Sequence, residues 1–161
     1  MPTPPSPRQI RVIGFDDAPH PHRRGAAVSL CGVVCSATRM EGMVWGRLRR
    51  DGWDATAGLT RALVGSRYAS QVHAVLLDGV TFGGLNVVDL RALAAAVGVP
   101  CVAVMRRPPD LAAMRAALER LPRPSGGRRC WRAPGRCTRW EGGPSTSWAS
   151  NLLRRRTCSI G

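Results

Sequence analysis

The sequence predicts an α/β domain: a mixed five-stranded sheet with flanking helices, its elements in the order β-β-β-α-β-α-β-α. Three observations predict it. Short apolar, β-branched runs open the chain with no helical period between them. After residue 50 such runs alternate with Ala/Leu-rich segments of helical spacing, a pattern that favours parallel crossovers. Aspartates then fall where apolar strands end, at Asp16, Asp17 and Asp78. At 161 residues the chain has the size of one domain and can bury one core.

Each element has its own warrant. Residues 1–9 are Pro-rich and read as a mobile leader. Ile10–Phe15 is a buried strand that runs into Asp16 and Asp17. A Pro/His/Arg loop follows, and then Ala26–Cys35, apolar and β-branched, forms a second strand. Met43–Arg49 alternates Val44, Gly46 and Leu48 with Met43, Trp45 and Arg47, and forms a third. Glu41 before Gly42 reads as a solvent-facing turn residue, and Asp51-Gly52 as a second turn. Asp54 N-caps a helix that runs to Val64, with Leu59, Leu63 and Val64 at helical spacing.

Val72–Leu77 is a strand that delivers Asp78 into the loop GVTFGGLN. Gly79, Gly83 and Gly84 there mark special backbone dihedrals or a close ligand approach. Val87–Val97 is a helix closed by Gly98, Val99–Met105 a strand, and Pro108–Leu121 a helix with Leu111, Met114, Leu118 and Leu121 on one face. Three strands followed by α-β-α-β-α is the order of a ribonuclease H-like fold. A doubly wound sheet would want a helix after the first strand.

Composition narrows the function classes. No apolar run approaches the ~18 residues of a membrane span, and the N-terminus lacks a signal-peptide pattern, so the default address is the cytoplasm. All 24 basic residues are Arg, as in a GC-rich gene. Residues 1–122 carry a net charge of +6 and residues 123–161 a net charge of +8. Over half of the excess that suggests nucleic-acid binding therefore sits in the last quarter of the chain. Cys31, Cys35 and Cys101 lie in apolar strands as small hydrophobes, and the spacing of Cys130, Cys137 and Cys158 matches no zinc pattern.

Residues 123–161 break the preceding patterns. Val vanishes, and Trp131, Trp140 and Trp148 crowd in with three Cys. The segment reads as a basic, disordered tail or as a stretch translated out of frame. Back-translated with GC-rich codons and read from the third base, it gives apolar and acidic peptides resembling a strand and the start of a helix. On that reading the domain lacks its last strand and helix. Bare apolar faces and open sheet edges would then promote association.

The acids carry the candidate chemistry. In the proposed fold the first and fourth strands are neighbours, so Asp16 and Asp78 face each other. Two carboxylates that close repel unless a cation neutralises them. Mg²⁺ or Mn²⁺, a hard ion that takes carboxylate oxygens and keeps several waters, suits such a pair and can activate water against a phosphodiester. Asp54 is the third candidate ligand and Asp17 a further one, with capping and turn roles as their structural alternatives. His20 and His22 read as solvated loop residues and Arg106-Arg107 as a solvated pair.

The segments IRVIGFDDAP, DGWDAT, HAVLLDGVTFGGLNVVDLRAL and VPCVAVMRRPPDLAAMRAAL resemble the family numbered ninety-nine among domains of unknown function, known mainly from archaea. The likeness spans roughly residues 10–122. That family is remotely similar to endonuclease V, a Mg²⁺-dependent enzyme of ribonuclease H-like fold that cuts nucleic acid near deaminated bases. The resemblance implies that Asp16 matches the strand-one metal ligand and Asp78, in Leu-Asp-Gly, the Asp of a Phe-Asp-Gly motif. Asp54 falls where endonuclease V has a metal-binding Glu. His20 departs from an aromatic in the family, and residues 123–161 match nothing in it.

The expectation is an endonuclease V-like domain for metal-dependent phosphodiester hydrolysis, with impaired activity in this copy. The alternative is a non-catalytic domain that keeps the fold and binds nucleic acid or a protein. A third reading makes the basic tail alone the nucleic-acid binder. Oligomeric state is left open.

Overall fold

The computed structural model describes residues 10–107 and 109–122, together with the backbone of residues 137–140 and 147–151. Its elements are β1 (Arg11–Asp17), β2 (Ala27–Ser36), β3 (Arg39–Arg49), α1 (Ala55–Val64), β4 (Ala74–Asp78), β5 (Thr81–Phe82), β6 (Asn86–Val87), α2 (Leu90–Val97), β7 (Cys101–Met105), α3 (Leu111–Glu119), β8 (Cys137–Trp140) and β9 (Ser147–Asn151). The main sheet has the order β3-β2-β1-β4-β7-β9-β8. β1, β2 and β3 form an antiparallel meander, and β1, β4 and β7 run parallel. The five expected strands therefore build the expected mixed sheet, with the first and fourth side by side.

The sheet is wider than expected. β9 pairs antiparallel with β7, and β8 with β9. Both lie in the stretch read as a basic tail. The rest of that stretch lies outside the described residues, as does the expected leader at residues 1–9.

Alternation along the strands sets which face is buried. Ile13 and Phe15 on β1, Val28, Leu30 and Val34 on β2, Val44 and Leu48 on β3, and Val75 and Leu77 on β4 all enter the core. Leu59 and Leu63 of α1 and Leu90 and Leu93 of α2 close over them, one helical turn apart on each helix. α1 packs on β3 and against α2, and α2 on β7. Each such aliphatic side chain contributes roughly 1.5–3 kcal/mol on burial. α3 buries Leu118 and half-buries Leu111, Met114 and Leu121, the face read from the sequence.

The opposite sheet face leaves Trp45 65% exposed and Met43 and Leu76 partly bare. No described helix is long and apolar enough to cross a membrane.

Local differences have clear causes. β3 starts four residues early, because the reversal occurs at Ala37 (φ 51°). Glu41 is therefore a strand residue that pairs with the Arg11 guanidinium, not a solvent-facing turn residue. α2 begins at Leu90, three residues later than read, because the Asp89 carboxylate caps the amides of Arg91 and Ala92 at 3.0 Å. Gly98, at φ 74°, ends it in the left-handed conformation.

Candidate functional site

β1, β3, β4 and β7 all end at one edge of the sheet, so four loops meet there. Phe15 and Leu77 are the last residues that β1 and β4 pair with each other. Asp16 and Asp78 come next on each strand, directly after a pair held at the ordinary interstrand spacing of ~4.8 Å. Phe15 and Leu77 are buried in the core, so by alternation Asp16 and Asp78 share the opposite face, and both are exposed. Asp16 also lies opposite Cys31 on β2. Burial, and then the Asp16 charge, push the Cys31 thiol above its ordinary value. Among the described residues neither Asp16 nor Asp78 forms an ion pair.

The flanking residues are already committed. Asp16 Oδ1 accepts the Asp17 amide at 2.8 Å, which fixes the rotamer of the first carboxylate. Asp17 Oδ2 lies 3.3 Å from His20 Nδ1, and the same ring nitrogen lies 3.1 Å from the Ala18 carbonyl. Asp17 and His20 thus fold the loop back on itself, the turn role weighed for Asp17, and His20 is not a free solvated side chain. His22 Nδ1 contacts Arg50 Nη1 at 3.0 Å. Gly79, at φ 89°, turns the chain directly after Asp78 and donates its amide to Val104. Arg106 and Arg107 are exposed beyond β7, as read.

Asp54 has a different place. It occupies the residue before α1, but its side chain makes no capping bond. Its Oδ1 instead accepts the Arg49 amide at 3.1 Å and Asn86 Nδ2 at 2.7 Å. Asn86 performs the capping: its Oδ1 accepts the Ala55 amide at 2.9 Å, while its Nδ2 also donates to the Arg49 carbonyl at 2.9 Å. The expectation that Asp54 caps the helix is therefore corrected. Among the described residues, no group of three or more His, Cys, Asp or Glu side chains is gathered to hold a metal ion. The structure sets Asp16 beside Asp78 and binds Asp54 into the β3–α1 corner.

Two sequence motifs are thereby one physical unit. The amide of Asp51, in DGWDAT, donates to the Gly83 carbonyl at 2.8 Å. Its Oδ1 accepts the Leu85 amide at 3.0 Å, and its Oδ2 pairs with Arg50 Nε at 3.2 Å. Burial disfavours the Asp51 charge, but the Leu85 amide, the Arg50 hydrogen bond and the charges of Arg50 and Arg24 outweigh it and lower its pKa. The Thr56 hydroxyl oxygen accepts the Asp89 amide at 2.9 Å. Gly84, at φ 85°, leaves room for this lock, since a Cβ there would lie 2.4 Å from Asp51 Oδ1. Sequence reasoning missed Asn86. The available signal was a polar residue closing a Gly-Gly turn next to a helix-opening motif.

Comparisons with known proteins agree with this architecture. A UPF0215 protein of Methanothermobacter thermautotrophicus is 38% identical over 112 residues, covering 69% of this chain and 55% of the relative. A UPF0215 protein of Deinococcus radiodurans is 42% identical over 127 residues, covering 78% of this chain and 63% of the relative. The chain thus spans less than two thirds of the length of these relatives. A protein of unknown function from Archaeoglobus fulgidus superposes with a TM-score of 0.65 at 31% identity, over 71% of this chain and 64% of that one.

Ciona intestinalis endonuclease V, solved with an inosine-containing DNA, superposes with a TM-score of 0.52 at 13% identity, over 89% of this chain and 71% of that one. That likeness is one of fold, and it supports the ribonuclease H-like reading. The model of the family named Endonuclease dU matches residues 8–140, and the chain belongs to that family.

Proposed function

We propose that this domain is a cytoplasmic, divalent-cation-dependent hydrolase of nucleic-acid phosphodiesters. One observation carries the proposal: two exposed carboxylates end adjacent parallel strands, and no described residue supplies a neutralising cation. Membership of the endonuclease dU family supports the reaction class. The DNA bound to the Ciona protein of the same fold supports the partner class.

The donor set fits Mg²⁺ or Mn²⁺. Both ions take oxygen ligands, and Mg²⁺ commonly uses one or two carboxylates and leaves its other positions to water and substrate phosphate. Asp16 and Asp78 would hold the ion, with the Asp17 amide fixing the Asp16 rotamer. Such an ion supplies Lewis acidity toward a phosphodiester and lowers the pKa of water. Asp54, with Oδ1 held by Asn86 and the Arg49 amide, serves this site by fixing the β3–α1 corner.

The test is cleavage of a labelled oligonucleotide with and without Mg²⁺. Cation-dependent cleavage that Asp16→Asn and Asp78→Asn each abolish supports the proposal. Cleavage that is indifferent to either substitution, or to EDTA, refutes it. The second reading, a non-catalytic binding domain, draws on the lack of a third ligating side chain beside the pair among the described residues. Oligonucleotide binding without cleavage under every cation would select it.

A further inference from the structure

We propose that the cleft at the β3–α1 corner is a phosphate anchor for the nucleic-acid strand. This deepens the proposed function and rests on it for the class of ligand. The cleft is open to solvent, with a volume of about 750 Å³, and is lined by Arg24, Arg49, Arg61, Gly52 and Trp53, among others. Asp51 and Asp54 also line it: Asp51 pairs with Arg50 and accepts the Leu85 amide, while Asp54 accepts neutral amides from Asn86 and Arg49 through Oδ1 and keeps its charge, so with Arg50 the lining sets four Arg against two Asp. Among the described residues the guanidinium groups of Arg24, Arg49 and Arg61 form neither an ion pair nor a hydrogen bond. Three planar, permanently charged groups around one cleft, of which Arg24 also acts on the Asp51 charge, fit phosphate oxygens.

Position favours a strand over a small anion. Arg49 ends β3, two strands from Asp16 on β1, or roughly 10 Å across the sheet. Asp16 lies level with Cys31, and Cys31 with Trp45, so Arg49 sits four residues farther along, roughly 13 Å. The separation is therefore about 16 Å, or about five nucleotides if the strand keeps the stacked ~3.4 Å rise of a duplex. A mononucleotide reaches one site only, whereas a longer strand reaches both.

The test is fluorescence anisotropy of the full chain in EDTA, with labelled single-stranded DNA of four and twelve nucleotides. Arg24→Gln/Arg61→Gln changes two exposed side chains that form no ion pair among the described residues. Arg91→Gln, on the exposed face of α2, is the control. The expected result is a loss of roughly tenfold or more in affinity for the twelve-mer in the double variant. The slope of log affinity against log salt should fall by about 1.4, or ~0.7 per lost contact. The control should bind like the wild type at both lengths.

Unchanged affinity and slope in the double variant overturn the anchor. So does an equal loss in the control, or inorganic phosphate competing as well as the twelve-mer, which marks a small-anion site only. Asp78→Asn is assayed alongside. If it keeps cleavage while the cleft variant loses binding, the cation pair fails and the anchor stands. If it abolishes cleavage while the cleft variant binds normally, the anchor fails and the cation pair stands.

Discussion

Asn86→Ala tests how the two sequence motifs hold each other. Asn86 is fully buried and makes three hydrogen bonds: it accepts from the Ala55 amide and donates to the Arg49 carbonyl and the Asp54 carboxylate. The substitution orphans a buried amide at Ala55, at a cost of about 1–3 kcal/mol. It also strips a donor from a half-buried carboxylate, at a comparable or larger cost. The Arg49 carbonyl keeps the Gly52 amide at 3.0 Å, so its loss is small. The losses share one network and are not additive, so the expected destabilisation is about 3–5 kcal/mol. With a urea m-value of ~2 kcal/mol/M, the midpoint falls by roughly 1.5–2.5 M. Asp89→Ala, which removes an ordinary helix cap, should cost only about 1 kcal/mol. An Asn86→Ala midpoint within about 0.25 M of the wild type would refute the reasoning, because the corner would then hold without its lock.

Other outcomes follow from the same geometry. Gly32→Ala should destabilise by about 1–3 kcal/mol in urea titration, since its Cβ would sit 2.5 Å from the buried Phe15 ring. Gly14→Ala, one strand over with nothing within 4 Å of its Cβ, should be tolerated to within about 0.5 kcal/mol. Asp51 has a lowered pKa in the fold, so its stabilisation is present above the unfolded value of ~3.9 and is lost as pH falls through the folded one. Acid-unfolding curves should therefore show a shallower low-pH loss for Asp51→Asn than for the wild type. Burial pushes the Cys101 thiol up to about 12. Native Cys101 should stay unlabelled by a thiol reagent at pH 8, and its contribution to stability should be lost as pH rises from ~8.5 toward that value.

The fold was legible because period and punctuation agreed. Val28, Leu30 and Val34 alternate along β2, Leu59 and Leu63 repeat at one helical turn, and Gly98 closes α2, although the Asp89 cap that starts it was read as helix interior. The Asp16–Asp78 juxtaposition was legible because strand order in a three-strand meander followed by crossovers puts β1 next to β4. The roles at the β3–α1 corner were not legible. Asp54 has the residue type and place of an N-cap, yet Asn86, 31 residues from the amide it caps, takes that bond. Local propensity cannot see a partner that only tertiary folding delivers. Glu41 was misread for the same reason, since its strand role depends on Arg11, 30 residues away. β8 and β9 carry none of the apolar alternation that marks the earlier strands.

The central claim is that Asp16 and Asp78 together hold one divalent cation, and Mn²⁺ binding followed by electron paramagnetic resonance tests it most directly. The account predicts one site in the wild-type chain, lost in both Asp16→Asn and Asp78→Asn, displaced by Mg²⁺, and retained in Arg24→Gln/Arg61→Gln. Mn²⁺ binding of equal stoichiometry and affinity in the wild type and both aspartate variants, or no binding to the wild type at millimolar Mn²⁺, would contradict it.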